Sequence, residues 1–566
     1  MIINFEKNIS KSFFILLLQP SLYLPVKSIV YFVITLVLFI PFSFSLNAQN
    51  TQGKDFWLTF GKNNNFFATN ADLKIHIASG GKFTTGSIYF THLGTLQEFE
   101  IEPQTVFTYT LTTAQKQAAY NTVMGITAFS IRIETDNPVT VYAMNVANAF
   151  MDATNILPVS TLGSKYRQIS YTPYSFYFQV LDAYAVIATE NGTTVEHNGG
   201  EPQTLNKGQV YYRTSATDMT GALITSTKPI AFFALNQTAQ VPNGYEYGDP
   251  LIQQLAPVET WGTRFFVPVS SQGKNITRVV VSQDGTDINV PPGTTLLSPT
   301  GGQSTLTGLQ AGQFVEFEVT VVNKGCYITS NKPVGVCTYL PSRAYTNSGD
   351  PAQCWLPALE QTTPAILIAP FVVPAYLTSH FALVSTPTVT KKNTKVSIGG
   401  ALSDTLTGGI WVDNSTAGMS FYAMPLTNPS ASYLIDNPAG VIVLCYGLGD
   451  YSSYYYLAGS AMRDLTAAFF VNDFHYLELP ESFSCDDKIV FRAEIVGLST
   501  IEGSLRWFIN GQEEDDARDQ LMWEKSLAKG VYDIEMRVRF ENNDIVSYTS
   551  TLTVKGLWIK IKNVRY

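Results

Sequence analysis

Ile131-Arg-Ile-Glu-Thr-Asp-Asn-Pro138-Val-Thr-Val141 decides how this chain reads, because it returns three more times. The copies are Leu223-Ile-Thr-Ser-Thr-Lys-Pro229-Ile-Ala-Phe232, Tyr327-Ile-Thr-Ser-Asn-Lys-Pro333-Val-Gly-Val336 and Tyr433-Leu-Ile-Asp-Asn-Pro438-Ala-Gly-Val441. Each reads as a β-hairpin: a strand of β-branched or aromatic residues, a polar turn, and a second strand opened by Pro, where its missing N–H costs least. The prolines stand 91, 104 and 105 residues apart, so the repeating unit is about 100 residues long.

A second element follows each copy. It is Asp152-Ala-Thr-Asn-Ile-Leu-Pro158-Val-Ser-Thr-Leu-Gly163, then Asp249-Pro-Leu-Ile-Gln-Gln-Leu-Ala-Pro257 with Gly262, then Asp350-Pro-Ala-Gln-Cys-Trp-Leu-Pro357, and more weakly Asp450 before Tyr454-Tyr-Tyr-Leu-Ala-Gly459. An apolar strand comes after Gly163 and Gly262, and Gly53-Lys-Asp-Phe-Trp-Leu-Thr-Phe60 has the same form near the start. Period-2 alternation dominates residues 55–470, with helical character only at residues 113–121, so this is an all-β chain. Each repeat divides into two groups of about four strands. Eight such groups with an offset first strand predict a β-propeller in which that strand completes the last blade. The alternative is a row of β-sandwich modules, each burying its own core.

Composition narrows the function. Only 14% of residues are charged, 13% are aromatic and 45% hydrophobic, which excludes a disordered chain or a long-helix fibre. The 36 Lys and Arg against 45 Asp and Glu give a net charge of −9, which disfavours nucleic acid as a partner. Lys27, the apolar run at residues 29–40, Pro41 and the small-residue exit at Ala48 read as a signal peptide over residues 1–48, and hence as export to the cell surface or medium. Used whole and uncleaved, the run would be a signal anchor, the only membrane contact expected. Five cysteines (Cys326, Cys337, Cys354, Cys445 and Cys485) permit at most two bridges. A Cys326–Cys337 bridge across the third hairpin and buried free thiols both fit.

The segments Gly53-x-x-Phe56-Trp-Leu-Thr-Phe60, Pro138-Val-x-Val-Tyr142 and Asp152-x-x-x-x-Leu-Pro-x-x-x-Leu-Gly-x-x-Tyr166 resemble the N-terminal domain of the IgG Fc-binding protein family, over about residues 53–470. In that family the domain is associated with mucus proteins and immunoglobulin binding, and it also occurs in bacterial surface and secreted proteins. The resemblance implies an exported, non-enzymatic adhesion protein for a host or matrix protein or glycan. Residues 473–566 shift to higher charge density. Trp507 followed by Gly530-x-Tyr532 resembles an immunoglobulin-like or PKD-like sandwich. The expected organisation is thus a leader at 1–48, repeats at 49–472 and a sandwich at 473–566.

Chemistry leaves few marks. The histidines at 76, 92, 197, 380 and 475 have no ligand spacing, and no Gly-x-Ser-x-Gly elbow or phosphate-cradling loop occurs. No cofactor is expected. A glycoside hydrolase with paired carboxylates is the enzymatic alternative. The recurrent Asp152, Asp249, Asp350 and Asp450 read first as turn formers and second as a ring of Ca²⁺ ligands. The segments that differ most between repeats, at 145–151, 236–248, 340–349 and 446–449, emerge at equivalent places. They carry Phe150, Tyr245, Tyr247, Arg343 and Tyr345, with Tyr451 just beyond, and these six are the candidate ligand-binding residues.

Overall fold

A computed structural model describes residues 51–556 apart from 175–178, 293, 299–304, 404–405, 463–466, 473, 477–478, 481, 485–487, 496–500, 502 and 540–544. The leader and Cys485 lie outside the described residues. The described chain is all-β with several sheets, and its repeats are built alike.

The recurrent Pro element is not a hairpin. In each repeat it is one long strand, Ile131–Ala147, Leu223–Ala239, Cys326–Leu340 or Tyr433–Leu448, running straight through the polar stretch. Pairing with the repeat's first strand shows how: Gly53 faces Val139 and Asp55 faces Glu134, so a step of two on one strand matches a step of five on the other. The same shift separates Gly163/Lys165, Gly262/Arg264 and Thr363/Ala365 from their partners. The polar residues and Pro therefore form an enlarged β-bulge with three extra residues, where Pro has no ladder bond to lose and the strand bends. Beyond the bend the long strand takes new neighbours: in the first repeat it pairs with Thr84–Phe90 before it and with Asp72–Ser79 and Phe150–Ile156 after it. One strand thus serves two layers, as sandwich corners do.

The first strand, Gly53–Leu58, pairs with Ile131–Ala147 of its own repeat and does not complete the last one. Its Gly is required by contact: a Cβ on Gly53 would come within 2.2 Å of Pro158, and one on Gly163 within 2.6 Å of Pro257. Blades of four strands do not describe these sheets, which carry seven or eight strands around each long strand. Nor does each repeat own its core. One apolar cluster joins Phe56, Ile75 and Val141 of the first repeat to Ala185 and Phe233 of the second. Another joins Tyr142 and Met144 to Ile435 and Tyr456 of the fourth. A third runs from Tyr166 through Val279 and Tyr339 to Leu444.

The strands that return after each long strand meet one another: Phe150–Ile156 packs on Asp249–Gln254 and on Ser453–Gly459, and Ala352–Leu356 packs on both of those. At their centre the fully buried Asp152 carboxylate accepts backbone N–H groups from all four repeats. Oδ1 takes Ala153 N at 2.8 Å and Tyr455 N at 3.2 Å, and Oδ2 takes Ile252 N at 3.1 Å and Gln353 N at 3.0 Å. Four N–H donors converging on the two oxygens of one carboxyl lock the four strands together, against a burial that holds that carboxyl well above the usual carboxylate range.

The C-terminal sheets are Phe474–His475, Ala467–Val471, Lys488–Ile495 and Met522–Ser526 in one, and Phe483–Ser484, Ile545–Lys555, Gly530–Arg539, Arg506–Ile509 and Gln512–Glu513 in the other. Their core holds Phe469, Phe491, Trp507 and Met536 and shares no residue with the other three clusters. Trp507 Nε1 donates to Gln520 O at 3.0 Å, and Tyr532 Oη donates to Ala528 O at 2.9 Å.

Candidate functional site

The turns between long and return strands gather on one side of the strand assembly. Two are tight: Asn148 adopts φ 55 between Ile131–Ala147 and Phe150–Ile156, and residues 449–452 link Tyr433–Leu448 to Ser453–Gly459. The other two are longer, and the third carries a helix, Arg343–Thr346. Parts of the predicted variable segments, such as 145–147 and 446–448, are strand rather than loop.

These turns bring five of the six predicted residues, all but Phe150, into contact across repeat boundaries. Tyr247 and Tyr451 meet edge to face with centroids 5.2 Å apart. The Arg343 guanidinium lies 4.5 Å over the Tyr451 ring, donates to Asp450 O at 2.8 Å and pairs with Asp450 Oδ1 at 3.2 Å. Tyr245 meets Tyr345 at 4.7 Å, Lys274 Nζ sits 4.7 Å over Tyr345, and Tyr345 Oη donates to Glu318. Phe150 packs on Phe66 at 5.7 Å. Tyr245, Tyr247 and Tyr451 remain 42%, 42% and 46% exposed, so these rings are not spent on the core.

Between the rings lies a pocket of about 470 Å³, within the size range of small-ligand sites. Phe150, Tyr247 and Tyr451 line it, together with Asn64, Tyr174, Thr238 and Glu246, which the sequence does not mark as site residues, and with Asp249 and Asp350, which it offers only as turn formers or Ca²⁺ ligands. Tyr245, Arg343 and Tyr345 stand beside it and do not line it. Burial drives the Asp249 carboxyl well above the usual range, Asp350 and Asp152 adding to the effect. Asp350 is raised to about 7, by burial chiefly, against the pull of Arg343. Among the described residues Asp249 Oδ2 and Asn64 Oδ1 have no hydrogen-bond partner.

The four recurrent aspartates are not one set. Asp249 precedes the 3₁₀-turn cap Pro257 by eight residues and Asp350 precedes the cap Ala358 by eight, but Asp152 precedes Pro158 by six. Two residues along a strand separate the central lock from the pocket. Asp450 is different again, with its side chain 86% exposed. The four aspartates do not form one ring: backbone N–H groups take the Asp152 oxygens. No group of three or more His, Cys, Asp or Glu is placed to hold a metal among the described residues. The turn reading fails for Asp152 and Asp249, which sit within strands.

Other marked residues turn out structural. Tyr454, Tyr455, Tyr456 and Tyr171 are fully buried. Cys326, Cys337, Cys354 and Cys445 are buried free thiols, and the first two share one continuous strand, which rules out the cross-hairpin bridge. His76 stacks on Phe371 at 3.9 Å and burial lowers it to about 3, while His380 Nδ1 contacts Tyr454 Oη at 3.1 Å and burial lowers it to about 4. Both are neutral core groups at physiological pH.

The fold and the site define an all-β repeat protein with an aromatic face. Residues 50–216 and 152–447 match the IgGFc binding protein family, and the chain belongs to that family. It is 27% identical over 206 residues to the human IgGFc-binding protein, a match covering 34% of this chain and 4% of that protein. Fibronectin(III)-like modules of Clostridium thermocellum CbhA are 9% identical, covering 36% of this chain and 92% of theirs, with a TM-score of 0.13. A Ca²⁺-stabilized ice-binding adhesin of an Antarctic bacterium is 11% identical, covering 74% of this chain and 94% of its own, with a TM-score of 0.11. Scores this low carry no structural argument.

Proposed function

We propose that this chain is an exported, non-enzymatic binding protein that takes a host or matrix protein or glycan on its aromatic face. One observation carries the reading: turns from four repeats, dissimilar in sequence, place Phe150, Tyr247 and Tyr451 around one pocket with Arg343 stacked behind. Exposed Tyr and Arg are the residue types that dominate binding hot spots, and the fold does not need these rings for its core. Family membership supports binding as the class of function. The shared cores form a rigid platform, and the C-terminal sandwich serves as a spacer.

The test is a screen of the exported protein against mucins, glycans and IgG Fc, run beside a glycosidase panel, with Tyr247→Ala and Tyr451→Ala as paired variants. Both should melt like the parent and lose binding by about 10-fold or more. Turnover of a glycoside that either variant abolishes would replace binding with hydrolysis. N-terminal sequencing of the exported protein should begin near Ala48.

A further inference from the structure

The pocket combines two features that few ligands satisfy together. Its walls are rings, from Phe150, Tyr247 and Tyr451, while two of its lining residues hold buried polar atoms with no partner among the described residues. Asn64 is 6% and Asp249 1% exposed; Asn64 Oδ1 and Asp249 Oδ2 are unpaired, although the Met151 and Ser453 N–H groups act on the Asp249 carboxyl. A buried polar atom left unpaired is costly, so something that brings hydroxyl groups is favoured there. An apolar side chain of a protein partner would cover the rings and leave both atoms unpaired. An acidic ligand would face Glu246 and find no Lys or Arg among the pocket's lining residues, Arg343 being committed to Asp450.

We infer that this pocket takes one uncharged saccharide ring, its apolar face against Tyr247 and Tyr451 and its hydroxyls on Asn64 and Asp249. The inference rests on the aromatic face being the binding site and names the chemical class it serves. A pyranose has a C–H face that packs on an aromatic ring and a rim of groups that both donate and accept. The raised Asp249 and Asp350 carboxyls fit the same ligand: a neutral acid keeps one O–H to donate while its carbonyl accepts. The volume of about 470 Å³ has room for one ring with its substituents and bound water.

The experiment uses the exported full chain on an array of neutral oligosaccharides with their sialylated and sulfated counterparts. Methyl β-galactopyranoside and methyl β-N-acetylglucosaminide serve as soluble competitors. Neutral glycans should bind at least about 10-fold tighter than the charged counterparts, and a competitor should displace them. Asn64→Ala should weaken binding about 10-fold or more, and Tyr345→Ala, beside the pocket, less than about threefold. Should Asn64→Ala fail to fold, Tyr247→Ala on an exposed ring replaces it, with the same loss expected. Binding of charged glycans alone, or no glycan binding, overturns the inference. Protein binding that Tyr247→Ala abolishes but neither sugar displaces overturns the saccharide and leaves the aromatic face standing. Ligand binding that survives both Tyr247→Ala and Tyr451→Ala overturns the face as well.

Discussion

The four repeats and the C-terminal sandwich are both all-β, yet they solve the problem of a core in opposite ways. In the C-terminal region two sheets close over Phe469, Phe491, Trp507 and Met536, and the cluster ends there. In the repeats each apolar cluster crosses a repeat boundary, and a buried carboxylate ties four return strands at once. A repeat that cannot bury its surface alone gains stability only with its neighbours, so the assembly should unfold as one body while the sandwich unfolds by itself. The proposed binding face belongs to the interlocked part. Turns from separate repeats can hold one pocket only if the repeats are held rigidly against each other.

Removing the lock should have the largest effect. Asp152→Ala leaves four backbone N–H groups without their acceptor, and Asp152→Asn turns an amide N–H toward two of them. Either should cost about 3–5 kcal/mol or more in the repeat transition. Calorimetry should show that transition fall while the C-terminal one stays. A joint fall of both would mean that the two regions are one cooperative unit.

Trp507→Ala is the reciprocal test. Its ring is fully buried and its Nε1 is bonded to Gln520, so truncation should cost the sandwich about 3–5 kcal/mol. Binding by the aromatic face and the repeat transition should both be unchanged. Residues 467–566 expressed alone should melt cooperatively at the temperature of the C-terminal transition in the full chain.

The contrast was only half visible in the sequence. Alternation gave the strands, the fourfold Pro element gave the repeats, and Trp507 with Tyr532 marked a separate core. The Pro element misled because a bulge and a turn use the same residues. Whether Thr135-Asp-Asn-Pro138 reverses the chain depends on the strand opposite, and that pairing partner begins at Gly53, far away in sequence. The aspartates misled by two residues: Asp152 and Asp249 look alike beside a Pro, but the strand register sends one to the central lock and the other to the pocket. The clustering of Tyr245, Tyr247, Tyr345 and Tyr451 was legible because they stand where repeats differ. Asn64 was not, since it reaches the pocket from outside the repeated turns and nothing in its neighbours marks it.

A smaller effect separates the regions by pH. Asp350 has its carboxyl raised to about 7 in the folded protein, against about 4 when unfolded. Its protonated form is favoured by folding, so the stability is fully present below about pH 4 and is lost as pH rises through about 7. At about 1.4 kcal/mol per pH unit the loss is of order 2–4 kcal/mol, and Asp249 adds to it in the same direction. Asp350→Asn, which imitates the neutral acid, should flatten this slope in the repeat transition and match or exceed the parent at pH 8. A parent slope that survives in this variant would assign it to Asp249 or elsewhere.

Arg343 should matter least for stability and more for binding, and that separation is the sharpest test of the aromatic face. Its ion pair is with Asp450, whose side chain is 86% exposed, and an exposed pair is worth about 0.2–1 kcal/mol. The stacking on Tyr451 adds about 0.5–1 kcal/mol at a surface site. Arg343→Ala should therefore lower the repeat transition by about 2 kcal/mol at most. Tyr451 then loses the planar group that orders it against Tyr247, and a ligand must bear the cost of ordering the ring itself, so affinity should fall about 3- to 10-fold. Arg343→Lys keeps the charge and loses the flat stacking surface. If Lys restores the melting temperature but not the affinity, the guanidinium acts by positioning Tyr451. Full affinity in Arg343→Lys would mean that charge alone suffices, and unchanged affinity in a destabilised Arg343→Ala would reduce Arg343 to a structural residue of its turn.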